Sequence, residues 1–332
     1  MNSPFSPERH VPSMSVVVCA YTLDRWEDLR AATASLLGQS RAVDEILLVV
    51  DHCPDLYERA SKELPGVRVV PNQGRRGLSG ARNTGVAVSR GEVVAFLDDD
   101  AAAEPDWAER LLAPYDDPRV VGVGGFVRPR WSTSRPVWFP PEFDWVVGCS
   151  YRGLPERAAP VRNFIGANMS FRKTELLEVG GFLDALGRVG VQPALGDDET
   201  ELCLRIAARH PDAVLLYEPA AEVRHRVPES RTRWSYFRSR CYVEGRCKAL
   251  VASRRGSGPA LASERVYLRS TVPRALVRSL RPRPGALRTA GALSAGVSVT
   301  VAGYFVGRGR QWASRLAWRP RAAAEPLVGG SS

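Results

Sequence analysis

At 332 residues, with 44% hydrophobic and 25% charged residues, the chain can bury a full core and is too balanced in composition to be disordered or fibrous. Its net charge of +10 is unevenly placed: residues 224–319 hold 21 Lys and Arg against three acids, a local +18 that leaves the rest at −8, so two regions have different work. Six cysteines without a CxxC pair or His-rich companion exclude a zinc knuckle and suit reduced, buried thiols, while residues 1–12 lack the apolar run of a cleaved secretory signal.

After a disordered lead over 1–12, four apolar runs read as strands: 15–20, 45–50, 67–70 and 93–97. Between them, about 24–37, 54–64 and 79–89 read as helices. Strands separated by helical lengths imply βαβ units, hence an α/β fold with a mainly parallel sheet and helices on both faces. Ligands of such sheets lie beyond the carboxyl ends of the strands, which puts Ala20, Tyr21, Asp51, and Asp98 to Asp100 on one rim. Asp51 there can accept hydrogen bonds from a base or a ribose hydroxyl. The segment GRRGLSGARN over 74–83 offers amides and guanidinium groups to phosphate, but it lacks the Gly-Lys-Ser/Thr of a P-loop.

The fourth strand ends on Asp98, Asp99 and Asp100. Three adjacent acids repel one another unless a cation sits among them, and a divalent metal with carboxylate ligands shares its open positions with phosphate. A solvated acidic turn is the simpler alternative, yet one Asp would suffice for a turn. After Pro105 a short helix runs to about Leu112. The stretch 128–160 is irregular and carries Trp131, Trp138 and Trp145, which either pack on the sheet or face a sugar. A helix over 197–209 opens with more acids than its dipole requires. Beyond about 228 the sequence is Arg-rich and helical, and 289–307 has no charge at all. Its length approaches the ~20 residues of a membrane span. Its Gly, Ser and Thr content leaves three fates open: spanning, lying on a membrane surface, or packing as a buried hairpin.

Taken in order, SVVVCAYTLDR, LLVVDHCPD, GLSGARNTGV, AFLDDD followed by PDW, NFIGANMSFRK, GGF, GDDETELCLR and EVRHRVP resemble family 2 glycosyltransferases of the GT-A fold, over residues 15–227. Two departures stand beside the expected nucleobase pocket: Cys19-Ala20 where many members have Pro-Thr, and His52 where a second Asp is common. The resemblance implies a Rossmann-like catalytic domain over 13–228. It also implies a nucleotide-sugar donor, UDP-sugar first, with Mg2+ or Mn2+ between its diphosphate and Asp98 and Asp100. Ala20, Tyr21, Arg25, Asp51, Arg82, Asn83, Asp98 and Asp99 fall on the donor side. His225 matches the late His that approaches metal or pyrophosphate. Glu199, following Asp198, matches the general base of an inverting transfer, with Asp198 and Glu201 as rivals.

The stretches 138–151, 162–172 and 236–248 are similar to a bacterial and archaeal subgroup that includes enzymes extending polyprenyl- or dolichyl-phosphate-linked sugars. That similarity implies a glycan or lipid-linked acceptor, with Trp138, Phe143, Trp145, Arg162 and Asn168 on the acceptor side. Residues 229–320 then form a basic helical region suited to an anionic membrane surface on its cytoplasmic face, followed by a disordered tail over 321–332. A non-catalytic nucleic-acid binder is the competing class, although no RNP, zinc-finger or helix-turn-helix pattern is present and no nucleic-acid partner is expected. A sugar nucleotidyltransferase would carry a Lys-containing phosphate loop that 15–25 lacks.

Overall fold

The computed structural model describes residues 11–184, 198–255, 258, 261–279, 281 and 284–317. The expected disordered ends lie outside these residues apart from Val11 and Pro12, as does Asp197.

Runs of β-branched and aliphatic residues form β1 (Met14–Ala20), β2 (Glu45–Val50), β3 (Arg68–Pro71) and β4 (Val93–Asp98). Further along come β5 (Ala101–Ala103), β6 (Val120–Trp131), β7 (Ala159–Pro160), β8 (Asn168–Arg172) and β9 (Val214–Val227). They make one nine-stranded sheet in the order β3-β2-β1-β4-β8-β6-β9-β5, with β7 paired to β9. The first four positions are parallel, as the alternation of strands and helices predicts. Beyond them β8 enters antiparallel between β4 and β6, so the second half is mixed.

Side chains alternate across the parallel strands with period 2. Val16, Val18, Leu48 and Val50 join Leu29 and Leu36 of α1 (Trp26–Leu37) and Trp107 and Leu111 of α4 (Trp107–Leu112) on one face. On the other, Val17, Leu47, Val49 and Phe96 pack with Ala81 and Val86 of α3 (Leu78–Val88) and Leu202 and Ile206 of α6 (Asp198–Arg209). The remaining helices of this part are α2 (Pro54–Glu63) and α5 (Lys173–Glu178). A Cβ at Gly85 would stand 2.4 Å from Val17, so this glycine lets α3 lie close on β1.

Past β9 the chain turns into α7 (Trp234–Arg255), α8 (Ala262–Val266), a π turn over Tyr267–Thr271, α9 (Val272–Ser279) and α10 (Ala286–Ala317). The uncharged segment is therefore part of one long helix, not a hairpin. It lies against α7, where a Cβ at Gly303 would be 2.2 Å from the Tyr242 carbonyl oxygen. Gly296 faces Phe143 and Phe237 in the same way. Charged ties join the two parts as well: Glu264 accepts from both terminal nitrogens of Arg162 (2.5 and 2.9 Å) and lies 3.3 Å from Lys248.

Candidate active site

Strand register assembles the acidic tip. Cys19 on β1 stands beside Asp98, and after the turn at Asp99 and Asp100, β5 pairs antiparallel with β9 so that Ala101 is opposite His225. The Arg226 amide donates to the Asp100 carbonyl at 2.8 Å and closes the turn. One donor atom each from Asp98, Asp100 and His225 then lie within 4.8 Å of one another. His225 Nε2 is 3.1 Å from Asp100 Oδ1 and 4.0 Å from Asp98 Oδ2, and its other ring nitrogen lies 3.7 Å from Cys149 Sγ.

Burial alone would raise Asp100, but His225, Arg25 and Arg231 together draw its carboxyl below the ordinary carboxylate range. Asp99 goes the other way. Burial and the adjoining charges of Asp100 and Asp98 push it up to about 7 despite Arg25, and its Oδ2 is buried without a hydrogen-bond partner. Two carboxylate oxygens and an imidazole nitrogen fit a hard divalent ion such as Mg2+ or Mn2+, and three protein ligands would leave positions for diphosphate oxygens.

Arg82 is 3% exposed and joins this cluster to the start of α6. Its guanidinium lies 3.8 Å from Asp98, donates to Asp198 Oδ2 at 3.1 Å and to the Gly166 carbonyl at 3.0 Å, and stacks over Phe96 and Phe182. Asp198 also accepts from Ser79 at 3.0 Å, so this rival base is committed to fixing α6. Glu201 is 1% exposed and paired with Arg205. Glu199 lies between them in sequence, is only partly buried, and acts electrostatically on Arg82.

Several donor-side expectations meet occupied side chains. Asp51 stands on the rim, but its Oδ1 accepts from Asn72 (2.7 Å) and contacts His52 (2.9 Å), while its Oδ2 accepts from the Gly77 amide (2.9 Å). Its carboxylate thus shapes the 72–77 loop. His52 holds a positive φ of 51°. Asn83 bonds the Phe182 backbone in both directions, donating to its carbonyl and accepting from its amide. Arg25 is a counter-charge to Asp99 (2.8 Å) and Asp100 (3.3 Å) and lies over the Tyr21 ring. Ala20 is buried at the end of β1, where its carbonyl accepts from the Asp51 amide, and Tyr21 beyond it stays partly exposed.

The residues expected on the acceptor side have partners within the fold. Asn168 is fully buried, accepts from Trp107 Nε1 and donates to the Phe126 and Ala221 carbonyls, so it ties the sheet together. Phe143 is a core residue. Trp138 packs in a ring cluster with Phe139, Trp234 and Phe237. Arg162 is bound by Glu264. Trp138, Trp145 and Arg162 are all partly buried, and Trp145 packs on Phe143 on the turn leading to Gly148, where a Cβ would touch the His225 ring. Sequence reasoning missed Ser79, Cys149 and Arg231. Their partners stand 119, 76 and 131 positions away, and no local pattern announces such a pairing.

A family model described as Glycosyl transferase family 2 matches residues 15–180. The chain is 37% identical over 242 residues to a glucosyl-dolichyl phosphate glucuronosyltransferase of Haloferax volcanii, covering 72% of this chain and 77% of that protein. A mannosyltransferase of Pyrobaculum calidifontis, solved with GDP-Man and Mn2+, superposes with a TM-score of 0.54 at 18% identity over 94% of this chain and 89% of its own. GalNAc-T7, solved with UDP, GalNAc and Mn2+, gives 0.51 at 17% over 79% of this chain and 55% of that one. At those identities the two solved structures show a shared fold.

Proposed function

Because the chain belongs to glycosyl transferase family 2, we propose that it moves a sugar from a nucleotide-sugar donor, UDP-sugar first, to a hydroxyl of a polyprenyl-phosphate-linked glycan at the cytoplasmic face of a membrane, with inversion. Asp98, Asp100 and His225 would hold a divalent ion, which when bound neutralises charge on the departing diphosphate. The acceptor oxygen attacks the anomeric carbon from the side opposite the diphosphate, the bond from that carbon to the phosphate oxygen breaks, and Glu199 takes the hydroxyl proton. The lipid-linked acceptor is supported by the likeness to the Haloferax volcanii protein, whose name carries a dolichyl phosphate substrate.

The observation that carries the reading is Arg82, whose one buried guanidinium reaches both Asp98 and Asp198. The candidate metal ligands and the acid-bearing end of α6 are thereby set on either side of a single residue, which the two ends of a displacement require. The test is nucleoside diphosphate release from a panel of nucleotide sugars with Mn2+ or Mg2+. Glu199→Gln should lower turnover at least ~100-fold with donor affinity retained. Full turnover in that variant would remove Glu199 from the role. Condensation of a nucleoside triphosphate with a sugar phosphate would instead favour the nucleotidyltransferase.

A further inference from the structure

The C-terminal helices expose apolar surface to an unusual degree. Among the described residues 14 large hydrophobic side chains are exposed, and nine of them lie at or beyond Trp234. On α10 the residues Thr289, Leu293, Gly296, Gly303 and Gly307 turn inward. The opposite side carries Val301, Phe305 and Trp312 at helical spacings of four and seven, with Phe305 67% and Trp312 68% exposed. Arg308 stands exposed on that same side. On α8, the π turn and α9, exposed Val266, Leu268 and Val277 alternate in the same way with exposed Arg265, Arg269 and Arg274. No acid follows Glu264 until Glu325.

By length and composition, residues 286–312 could cross a membrane, with a mean hydropathy of 1.4. Packing argues otherwise. A Cβ at Gly245 of α7 would meet the Thr300 carbonyl at 1.9 Å, and Gly307 stands against Ala249 and Arg246, so the inner face of α10 is seated on α7 through its middle turns. Lys248 on that same α7 is paired with Glu244 and Glu264, and Gly296 reaches Phe143. A spanning α10 would have to leave this contact or draw α7 and its charges into hydrocarbon.

We propose that α10, held on α7, lies in the interface of an anionic bilayer without crossing it: Val301, Phe305 and Trp312 enter the headgroup boundary while Arg308 meets lipid phosphate. This rests on the reading of a lipid-linked acceptor, whose glycan would be presented at that surface. Large apolar anchors beside arginine favour a bilayer over nucleic acid, where the arginines alone would find partners.

The full chain is floated with vesicles of phosphatidylcholine alone or mixed with phosphatidylglycerol. Binding should need the anionic lipid and weaken with salt. Phe305→Ser combined with Trp312→Ser should cut binding about 10-fold or more, while donor turnover with a water-soluble acceptor stays unchanged. Arg308→Gln should weaken the preference for phosphatidylglycerol. Equal binding by the double serine variant, resistance of the membrane-bound chain to alkaline carbonate extraction, or retention on DNA with no vesicle binding would each overturn the proposal. Vesicle binding uses neither donor nor acceptor, so transfer that persists without it sinks the docking surface alone, and docking without transfer sinks the proposed reaction alone.

Discussion

Replacing Arg82 with Met tests the proposed link between the two halves of the site. The guanidinium is 3% exposed and held by Asp198, the Gly166 carbonyl and two aromatic faces, with Asp98 at 3.8 Å. Burial disfavours its charge, but Asp198 and Asp98 more than offset that and raise its pKa. Methionine fills part of the volume yet leaves the Asp198 carboxylate, 5% exposed, without its cation. Breaking a buried pair on one side costs ~3–5 kcal/mol, a large share of the ~5–15 kcal/mol of an ordinary domain. Urea unfolding of wild type, Arg82→Met, Asp198→Asn and the double variant should give a coupling energy of about 2 kcal/mol, because the second change removes the charge the first one strands. Arg82→Lys should fall between, since an ammonium cannot span Asp198 and Gly166 as a planar fork does. Stability within ~1 kcal/mol of wild type for Arg82→Met, or a coupling energy near zero, would refute the reasoning.

Other changes probe the C-terminal contact and the nucleotide rim. Burial raises Glu264, but Lys248 and Arg162 override it and hold its carboxyl down to about 2. Its folded pKa is depressed, so its contribution is complete above the ordinary 4.5 and is lost as pH falls toward 2; Glu264→Gln should flatten that limb of a stability-against-pH curve. Gly303→Ala should cost about 1–3 kcal/mol, because the new Cβ forces α10 away from the Tyr242 carbonyl, whereas Gly309→Ala, with open space around it, should gain ~0.5–1 kcal/mol in helix propensity. Thermal melting separates the two signs. At His52, with φ at 51°, Asn should be tolerated while Val costs ~1–2 kcal/mol, read by the same melting assay.

Much of the donor half was legible because its information is local. Strand-length apolar runs ending in acids specify both the parallel pairing and the rim, and the expected bounds for β2 are those observed. Asp98 and Asp100 need only the end of β4 to be placed. His225 needed more, the pairing of β5 with β9, and the ordered motifs supplied what periodicity lacked. The antiparallel entry of β8 was not readable, since an apolar strand carries the same alternation in either direction.

The acceptor-side expectations rest on a different kind of information. Trp138, Phe143, Arg162 and Asn168 come from the similarity of the stretches around them to the bacterial and archaeal subgroup, and aromatic, guanidinium and amide groups serve a sugar and a protein interior equally well. What separates the two uses is the partner. Glu264 stands 102 positions from Arg162, and Trp234 and Phe237 stand nearly as far from Trp138, all of them in the C-terminal helices. Those helices absorb the polar and aromatic groups that a catalytic domain alone would have left facing an acceptor. If the surface that meets a glycan is set by how the basic region is seated on the catalytic domain, the pair of Arg162 and Glu264 is one of the ties that sets it. Exchanging the Arg162 and Glu264 pair for Met and Leu should therefore preserve nucleoside diphosphate release in water while loosening discrimination among acceptors. Unaltered acceptor preference in that variant would return recognition to the catalytic domain.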